Sequence, residues 1–328
     1  MSRSVTVEAA LNGTDITADI SDDTLSLSYT DNASDSADDL SLTIQNRSRK
    51  WLRGWFPEKT DIISAKIVTH DWTGTLDCGE FTVDDVGFSG RPLTLDIKGL
   101  AQPASTDFSE TEKSHTWAAI TIKDVGDTIA GNAGIPLIYD AELNPLLPFV
   151  SQKDQSDKAF YFDLCEKYGL TMKMYSNKIY VYDMEEMEGR KPLRTIREED
   201  LLSWKFNDTL VDSAYSACVV KYTNQDGKLL EYKYEQPSKA PKVYNHVVQV
   251  ASLAEAQQVA KAALRKANMR QTSASFSLPG DTGFVSAITV MVEGFGRFDG
   301  KYFVDKAAHS VSGGYTTNLE MHKVIEDG

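Results

Sequence analysis

Two stretches of this 328-residue chain repeat each other across its middle, and that duplication constrains the fold more than any other feature. Tyr29, Asp31, Asp35, Ser36 and Ala37 stand at the same spacing as Phe206, Asp208, Asp212, Ser213 and Ala214. The apolar alternation that follows also matches, Leu40 and Leu42 against Ala217 and Val219. A second pair comes later in the same order: Gly79, Phe81, Val83 and Asp84 against Gly300, Tyr302, Val304 and Asp305. After a turn, Leu95-Asp96-Ile97 meets Leu319-Glu320-Met321. Two matches in one order in both halves read as a duplicated β-unit. A chain carrying two similar, non-identical units can close into a ring with two alternating kinds of contact.

Residues 1–105 alternate apolar and polar side chains in short runs, the period of half-buried strands. Val5, Val7 and Ala9 form the first run, and Asn12-Gly13 supplies a hairpin turn before Ile16 and Ile20. Leu25, Leu27 and Tyr29 follow, then Leu40, Leu42 and Ile44, then Ile62, Ile63, Ile67 and Val68. Phe81 with Val83, and Leu93, Leu95 and Ile97, complete the series. Several short strands with turn residues between them predict a barrel or sandwich.

Composition shifts after Pro103. Thr121 caps a predicted helix bearing Ile122, Val125 and Ile129, which Gly134 stops. Ser156 caps a second, with Phe160, Leu164 and Tyr168 at helical spacing and Gly169 past its end. Leu137-Ile138-Tyr139 reads as a strand, as do Ile179 and Val181 after a Ser176-Asn177 turn. Beyond residue 196 strands return at Ala274, Phe276 and Leu278 and at Ile288, Val290 and Val292. One helix interrupts them, with Ser252 and Glu255 as a capping box and Val259, Ala260, Ala263, Leu264 and Ala267 as its stripe. The expectation is a mainly β chain with an α+β insert. Two β-barrel domains, at 1–105 and at 196–328 with its one helix, are duplicated around a small α+β domain at 106–195.

Net charge is −14, divided as −8 over residues 1–105, −5 over 106–195 and −1 over 196–328. An acidic chain without a basic stripe speaks against tight nucleic-acid binding, which needs clustered Lys and Arg. No segment approaches 18 uninterrupted apolar residues, and the N-terminus lacks the apolar core of a signal peptide. Synthesis in a cytoplasm, without membrane insertion by this chain, is expected. Cys78, Cys165 and Cys218 form no CxxC pair and read as reduced, buried thiols.

Chemical signatures are weak. The acidic loop 31–39 lacks the glycine and terminal glutamate of an EF-hand. The five histidines have no metal-ligand spacing, although His309 and His322 flank a predicted hairpin and could meet. Gly294 to Gly300 lacks the Gly-Lys-Ser/Thr ending of a phosphate loop and reads as a β-turn at Asp299-Gly300. No acid stands out in a signalled pocket, so no catalytic residue, no metal and no cofactor is assigned.

Several stretches resemble the phage late-control D protein family, the baseplate hubs of contractile tails. They are Leu27 to Ala33 with Ala37 to Leu40, Trp51 to Pro57, Leu76 to Phe81, Ser156-Asp157 before Phe162 to Cys165, and Phe276 to Gly280. The closing run, Phe298 to Phe303 and His309 to Thr316, is the most specific. The resemblance runs over nearly the full length and implies two tube-like barrels per chain. It implies a structural, non-enzymatic homotrimer that adapts the six-fold tail tube to the trimeric central spike. Hub parts of type VI secretion valine–glycine-repeat spikes are related, and there hub and spike share one chain. Here the puncturing tip and any wall-degrading activity are expected on another chain.

The implied partners are the tail tube protein, the central spike protein and other baseplate proteins, with tape-measure protein or DNA passing through the lumen. The implied location is the tail baseplate of a virion or tailocin. The excess carboxylates of the first barrel are expected to line that channel. Trp51 and Trp55, at helical spacing before Pro57, either anchor a partner or pack a short helix onto the first barrel. Asp31 and Asp35, with their repeats Asp208 and Asp212, are the other candidate interface residues. The alternative is a tail-associated cell-wall hydrolase or carbohydrate-binding component, which needs an aromatic-lined cleft with paired carboxylates.

Overall fold

In a computed structural model the chain is described from residue 4 to 325, apart from 35, 71, 73, 102, 104–105, 210–213, 224–227, 237–241, 249 and 251. The first unit holds β1 (Ser4–Leu11), β2 (Thr14–Asp15), the one-turn α1 (Thr17–Ile20), β3 (Thr24–Asn32), β4 (Asp39–Gln45), β5 (Ile62–His70), β6 (Thr75–Ser89) and β7 (Thr94–Leu100). The middle holds α2 (Thr106–Ser109), β8 (Lys113–Thr121), α3 (Ile122–Ala133), β9 (Leu137–Asp140), β10 (Leu146–Gln155), α4 (Asp157–Lys167), β11 (Leu170–Tyr175), β12 (Lys178–Asp183) and α5 (Met184–Gly189). Then come β13 (Arg194–Ile196), β14 (Ser203–Asp208), β15 (Tyr215–Thr223), β16 (Leu229–Glu235), β17 (Lys242–Val247) and α6 (Leu253–Asn268). The chain closes with β18 (Thr272–Pro279), β19 (Thr289–Val292), β20 (Gly300–Val311) and β21 (Tyr315–Lys323).

The duplication appears as strand order. In the first unit neighbours run β3-β4-β7-β6-β5-β1, and in the second β14-β18-β21-β20-β19-β13. Every neighbouring pair is antiparallel except β13 on β19, which is parallel. Even the irregularities repeat: the β6–β7 ladder slips between Val83 and Asp85, and the β20–β21 ladder between Val304 and Lys306. The repeated aspartates, Asp84 and Asp305, are the bulged residues. Buried side chains of β1, β3, β4, β5, β6 and β7 share one core, so the sheet curls on itself. Ala274, Phe276, Val290, Tyr302, Val304, Leu319 and Met321 fill the second.

The two units are fused. β3 pairs antiparallel with the second half of β20, from Lys306 opposite Asn32 to Val311 opposite Leu27, and one sheet runs through both.

One part of the repeat alignment is corrected. Ala217 and Val219 are not the counterparts of Leu40 and Leu42, because β15 leaves the barrel to pair with β16 and β17 in a separate sheet. The place of β4 is taken by β18, whose Ala274, Phe276 and Leu278 are buried. The single helix expected in the second barrel is also relocated. Ala256, Val259, Ala260 and Leu264 of α6 join the core of the middle domain, together with Val125, Tyr161, Cys165 and Met172. That core is therefore built from two separate parts of the chain, before β13 and after β14, rather than from 106–195 alone.

Local signals act as the sequence reading expects. Asn12 and Gly13, with φ of 50° and 74°, make the left-handed turn between β1 and β2, and Ser176 and Asn177 do so between β11 and β12. Thr121 accepts from the Asp124 amide, Ser156 from Ala159 and Ser252 from Glu255 at the starts of α3, α4 and α6. The Glu255 carboxylate reaches further than a capping box and accepts from Lys167 Nζ at 2.8 Å and Tyr168 Oη at 2.6 Å. This ties α6 to α4.

Leu264 is fully buried in that shared core. Leu264→Ala is expected to cost about 2–5 kcal/mol, the range for a large-to-small core change. Urea unfolding followed by circular dichroism checks it; a loss below about 1 kcal/mol would place α6 outside the core.

Candidate functional site

The candidate site is the seam where the three structural modules meet, together with the exposed edges around it. Asp31, on β3, is buried there. Its carboxylate accepts from the Ser286 amide at 2.7 Å and the Ser286 hydroxyl at 2.6 Å, and it pairs with Lys173 of β11. Lys173 also lies 3.2 Å from Asp38, which accepts from the Asn32 amide at 2.8 Å. One cation from the middle domain thus holds two carboxylates of the first unit against a loop of the second. Burial, helped by the Asp31 charge beside it, pushes the Asp38 carboxyl up to about 7 despite the pull of Lys173. Asp31, a candidate interface residue, is thus held by bonds within its own chain.

Tyr29, one strand position pair away, stacks on His309 of β20 at 6.0 Å across the fused ladder. The Phe284 carbonyl, 3.0 Å from Nε2, can only accept, so Nε2 carries the proton and Tyr315 Oη donates to Nδ1 at 2.8 Å. Burial lowers the His309 pKa to about 4, outweighing that carbonyl bond, so the ring is neutral near pH 7. His322 sits at the far end of the same hairpin, opposite Phe303, while His309 faces Thr317. The two histidines do not meet.

His322 makes its own junction. Its Nδ1 donates to Asp305 at 2.8 Å and its Nε2 to Glu188 of α5 at 3.2 Å, while Glu188 also pairs with Arg265 of α6. Burial by itself would lower the imidazole pKa; the two carboxylates overcome it and raise it to about 9.

The tryptophan pair divides. Trp51 is 1% exposed in the first core, and Trp55 is 41% exposed, edge-on to it at 5.4 Å. The helical spacing yields only a short 3-10 turn, Lys50–Leu52, and Lys50 Nζ sits 4.4 Å over the Trp55 ring. Phe56 is also exposed and stacks on Phe88 of β6 at 5.8 Å. In the second unit Trp204 of β14 and Leu202 just before it are exposed. Asp208 pairs with Arg297 and accepts from Thr272 at 3.2 Å. Asp35 and Asp212 lie outside the described residues.

Lys173, Ser286, Glu188 and Arg265 were not singled out from sequence. Lys173 had a signal: it is the lone charge in a strand otherwise buried at Leu170, Thr171, Met172 and Met174, where an unpaired cation is rarely tolerated. Among the described residues no cluster of three His, Cys, Asp or Glu could hold a metal.

No protein-family model matches the chain. In sequence it is 29% identical over 178 residues to the probable baseplate hub protein of Escherichia phage 186, a match covering 52% of this chain and 42% of that protein. It is 25% identical over 372 aligned positions to the probable baseplate hub protein of Escherichia phage P2, covering 97% of this chain and 92% of that one. A tail protein from Neisseria meningitidis MC58 has the same fold, with a TM-score of 0.74 at 14% identity over 97% of this chain and 96% of that one. A component of the Escherichia coli type VI secretion system gives 0.60 at 10% identity over 99% of this chain and 78% of that one. The chain is thus a relative of phage baseplate hub proteins, as the resemblance implied.

Two outcomes follow from the seam. Lys173→Met leaves Asp31 and Asp38 buried together without their cation, and is expected to cost about 3–5 kcal/mol in denaturant unfolding. His322 has a raised folded pKa, so its stabilisation is complete below pH 6.5 and lost as pH rises through about 9. Stability should fall by about 2 kcal/mol between pH 7.5 and 9.5, above the range where Asp38 titrates, and that slope should flatten in His322→Gln. Thermal melts across this range measure both.

Proposed function

We propose that the chain is the structural hub of a contractile-tail baseplate, forming a homotrimeric ring that adapts the six-fold tail tube to a trimeric central spike. One observation carries this reading. Each chain holds two units of the same strand order, already joined edge to edge through β3 and β20. Three such chains present six similar units around an axis, matching six-fold symmetry on one face while remaining trimeric on the other. The partners in this reading are the tube protein, the spike protein and other baseplate proteins. Tape-measure protein or DNA passes through the lumen, and the location is a virion or tailocin tail.

The role is non-enzymatic. A cavity of about 260 Å³ beside α4 is lined by Lys158, Phe162, Asp163, Met172 and Met174, with Asp163 its one described carboxylate. A glycosidase needs two acids across a scissile bond, and a second cavity of about 270 Å³ does hold Glu8 and Asp15 but no aromatic side chain, so neither cavity has the aromatic-lined carboxylate pair of the hydrolase alternative. The charge of −8 on residues 1–105 against −1 on 196–328 suits a channel wall that nucleic acid passes without adhering.

Light scattering tests the ring on the chain alone and mixed with the product of its neighbouring spike-like gene. A mass of three chains in either condition is expected. A monomer in both would overturn the ring.

A further inference from the structure

We infer that the loop between β4 and β5, residues 47–59, is a peripheral contact for an anionic phospholipid surface. The contact goes beyond the hub reading above and does not depend on the ring.

The loop reverses the charge of its surroundings. Five of the nine basic side chains in residues 1–105 fall within its thirteen positions: Arg47, Arg49, Lys50, Arg53 and Lys59. Glu58 is its one acid, so the loop carries +4 while the other residues of 1–105 carry −12. Two of the cations are paired inside the unit, Arg47 with Asp23 at 3.3 Å and Lys50 with Asp19 at 2.8 Å. Arg49, Arg53 and Lys59 are exposed and make no ion pair among the described residues.

Apolar side chains stand between those three cations. Leu52, Trp55 and Phe56 are 44%, 41% and 44% exposed, within five residues of one another. They are displayed from a fixed frame. Trp51 and Pro57 are buried on either side, Phe56 stacks on Phe88, and Lys50 Nζ lies over the Trp55 ring. Little conformational freedom is left to lose when such a loop binds.

The backbone favours a bilayer over a protein or a polynucleotide. The amides of Arg49, Leu52, Arg53, Trp55 and Phe56 donate to the carbonyls of Asn46, Arg49, Lys50, Lys50 and Arg53, and Pro57 has no amide to donate. The tip therefore offers no open ladder for a partner strand, and it can enter a medium poor in water without stranding those donors. Nucleobases need free aromatic faces to stack on. Phe56 gives one face to Phe88, Trp55 gives one to Lys50, and Leu52 has none. Cations ringing a short apolar tip suit the bilayer interface: the apolar groups settle among the acyl chains while arginine and lysine reach the phosphates. Among the described residues no helix is long and apolar enough to cross a membrane, and this contact lies on the surface without crossing it.

Vesicle flotation of the purified full chain tests the contact. The chain is expected to float with vesicles of phosphatidylcholine and phosphatidylglycerol, not with phosphatidylcholine alone, and less as salt is raised. Each cation near an anionic surface is worth about a fivefold change in binding, so Arg49→Gln with Arg53→Gln should weaken it about 25-fold. Leu52→Ser should weaken it as well, which attraction by charge alone would not produce. These side chains are exposed, so thermal melts of the variants should match the parent chain. If a variant loses the fold, quenching of tryptophan fluorescence by brominated lipid in the parent chain, compared with Trp55→Phe, reads the same contact. No flotation with phosphatidylglycerol, or flotation unchanged in the double variant, would overturn the inference. Binding of an oligothymidylate or of the tail tube protein through this loop, without vesicle binding, would overturn it too. All of these outcomes leave the hub reading standing.

Discussion

The ladder between β3 and β20 is the contact on which the rest of the arrangement depends. Strand edges carry unpaired amides and carbonyls that must be satisfied somewhere. Here an edge of the first unit is given to the second, and six residue pairs, Lys306–Asn32 through Val311–Leu27, make two units into one sheet. Trp72 reinforces the seam by donating to the Gly280 carbonyl at 2.9 Å, and the neutral His309 fills its interior. Gly280 is required there, because a Cβ would lie 2.0 Å from the Tyr315 ring.

Charge then locks the middle domain to that seam. A buried ion pair adds little net stability over a well-packed apolar core, but it is costly to leave unmade, so it specifies geometry. Lys173 with Asp31 and Asp38 tolerates one placement of the middle domain against both units, and Glu188 with His322 and Arg265 tolerates one placement of α5 and α6. Between these clusters Tyr182 Oη donates to the Ala33 carbonyl at 2.7 Å, and Tyr182 packs with Phe303 and Met187. The duplicated units differ chiefly in one connection. A short loop joins β3 to β4, whereas β14 reaches β18 through β15, β16, β17 and α6, which complete the middle core.

Much of this was legible as local pattern. The caps Thr121, Ser156 and Ser252 and the left-handed turns at Asn12-Gly13 and Ser176-Asn177 act within a few residues, so their physics is present in the sequence alone. The β-units and their duplication were legible because Asp84 and Asp305 mark the same bulge and their neighbours the same alternation. The reading failed where alternation is shared by strands of different destination. Ala217 and Val219 alternate as a barrel strand would, but nothing local says which sheet receives them. Trp51 and Trp55 likewise share a spacing and part company in burial, since only the surrounding sheet decides which ring it covers.

The sequence by itself determined the kinds of element, their order, the duplication and the hub resemblance, since periodicity, turn chemistry and repeated spacing are properties of neighbours along the chain. Tertiary structure alone decided that α6 belongs to the middle core and that Asp31 is held internally by Lys173. It also decided that β3 continues the sheet of β20. The physical reason is distance in sequence. Each of these contacts joins residues that one strand or helix cannot bring together, and many side chains of the right polarity could have served until the folded sheet selected one.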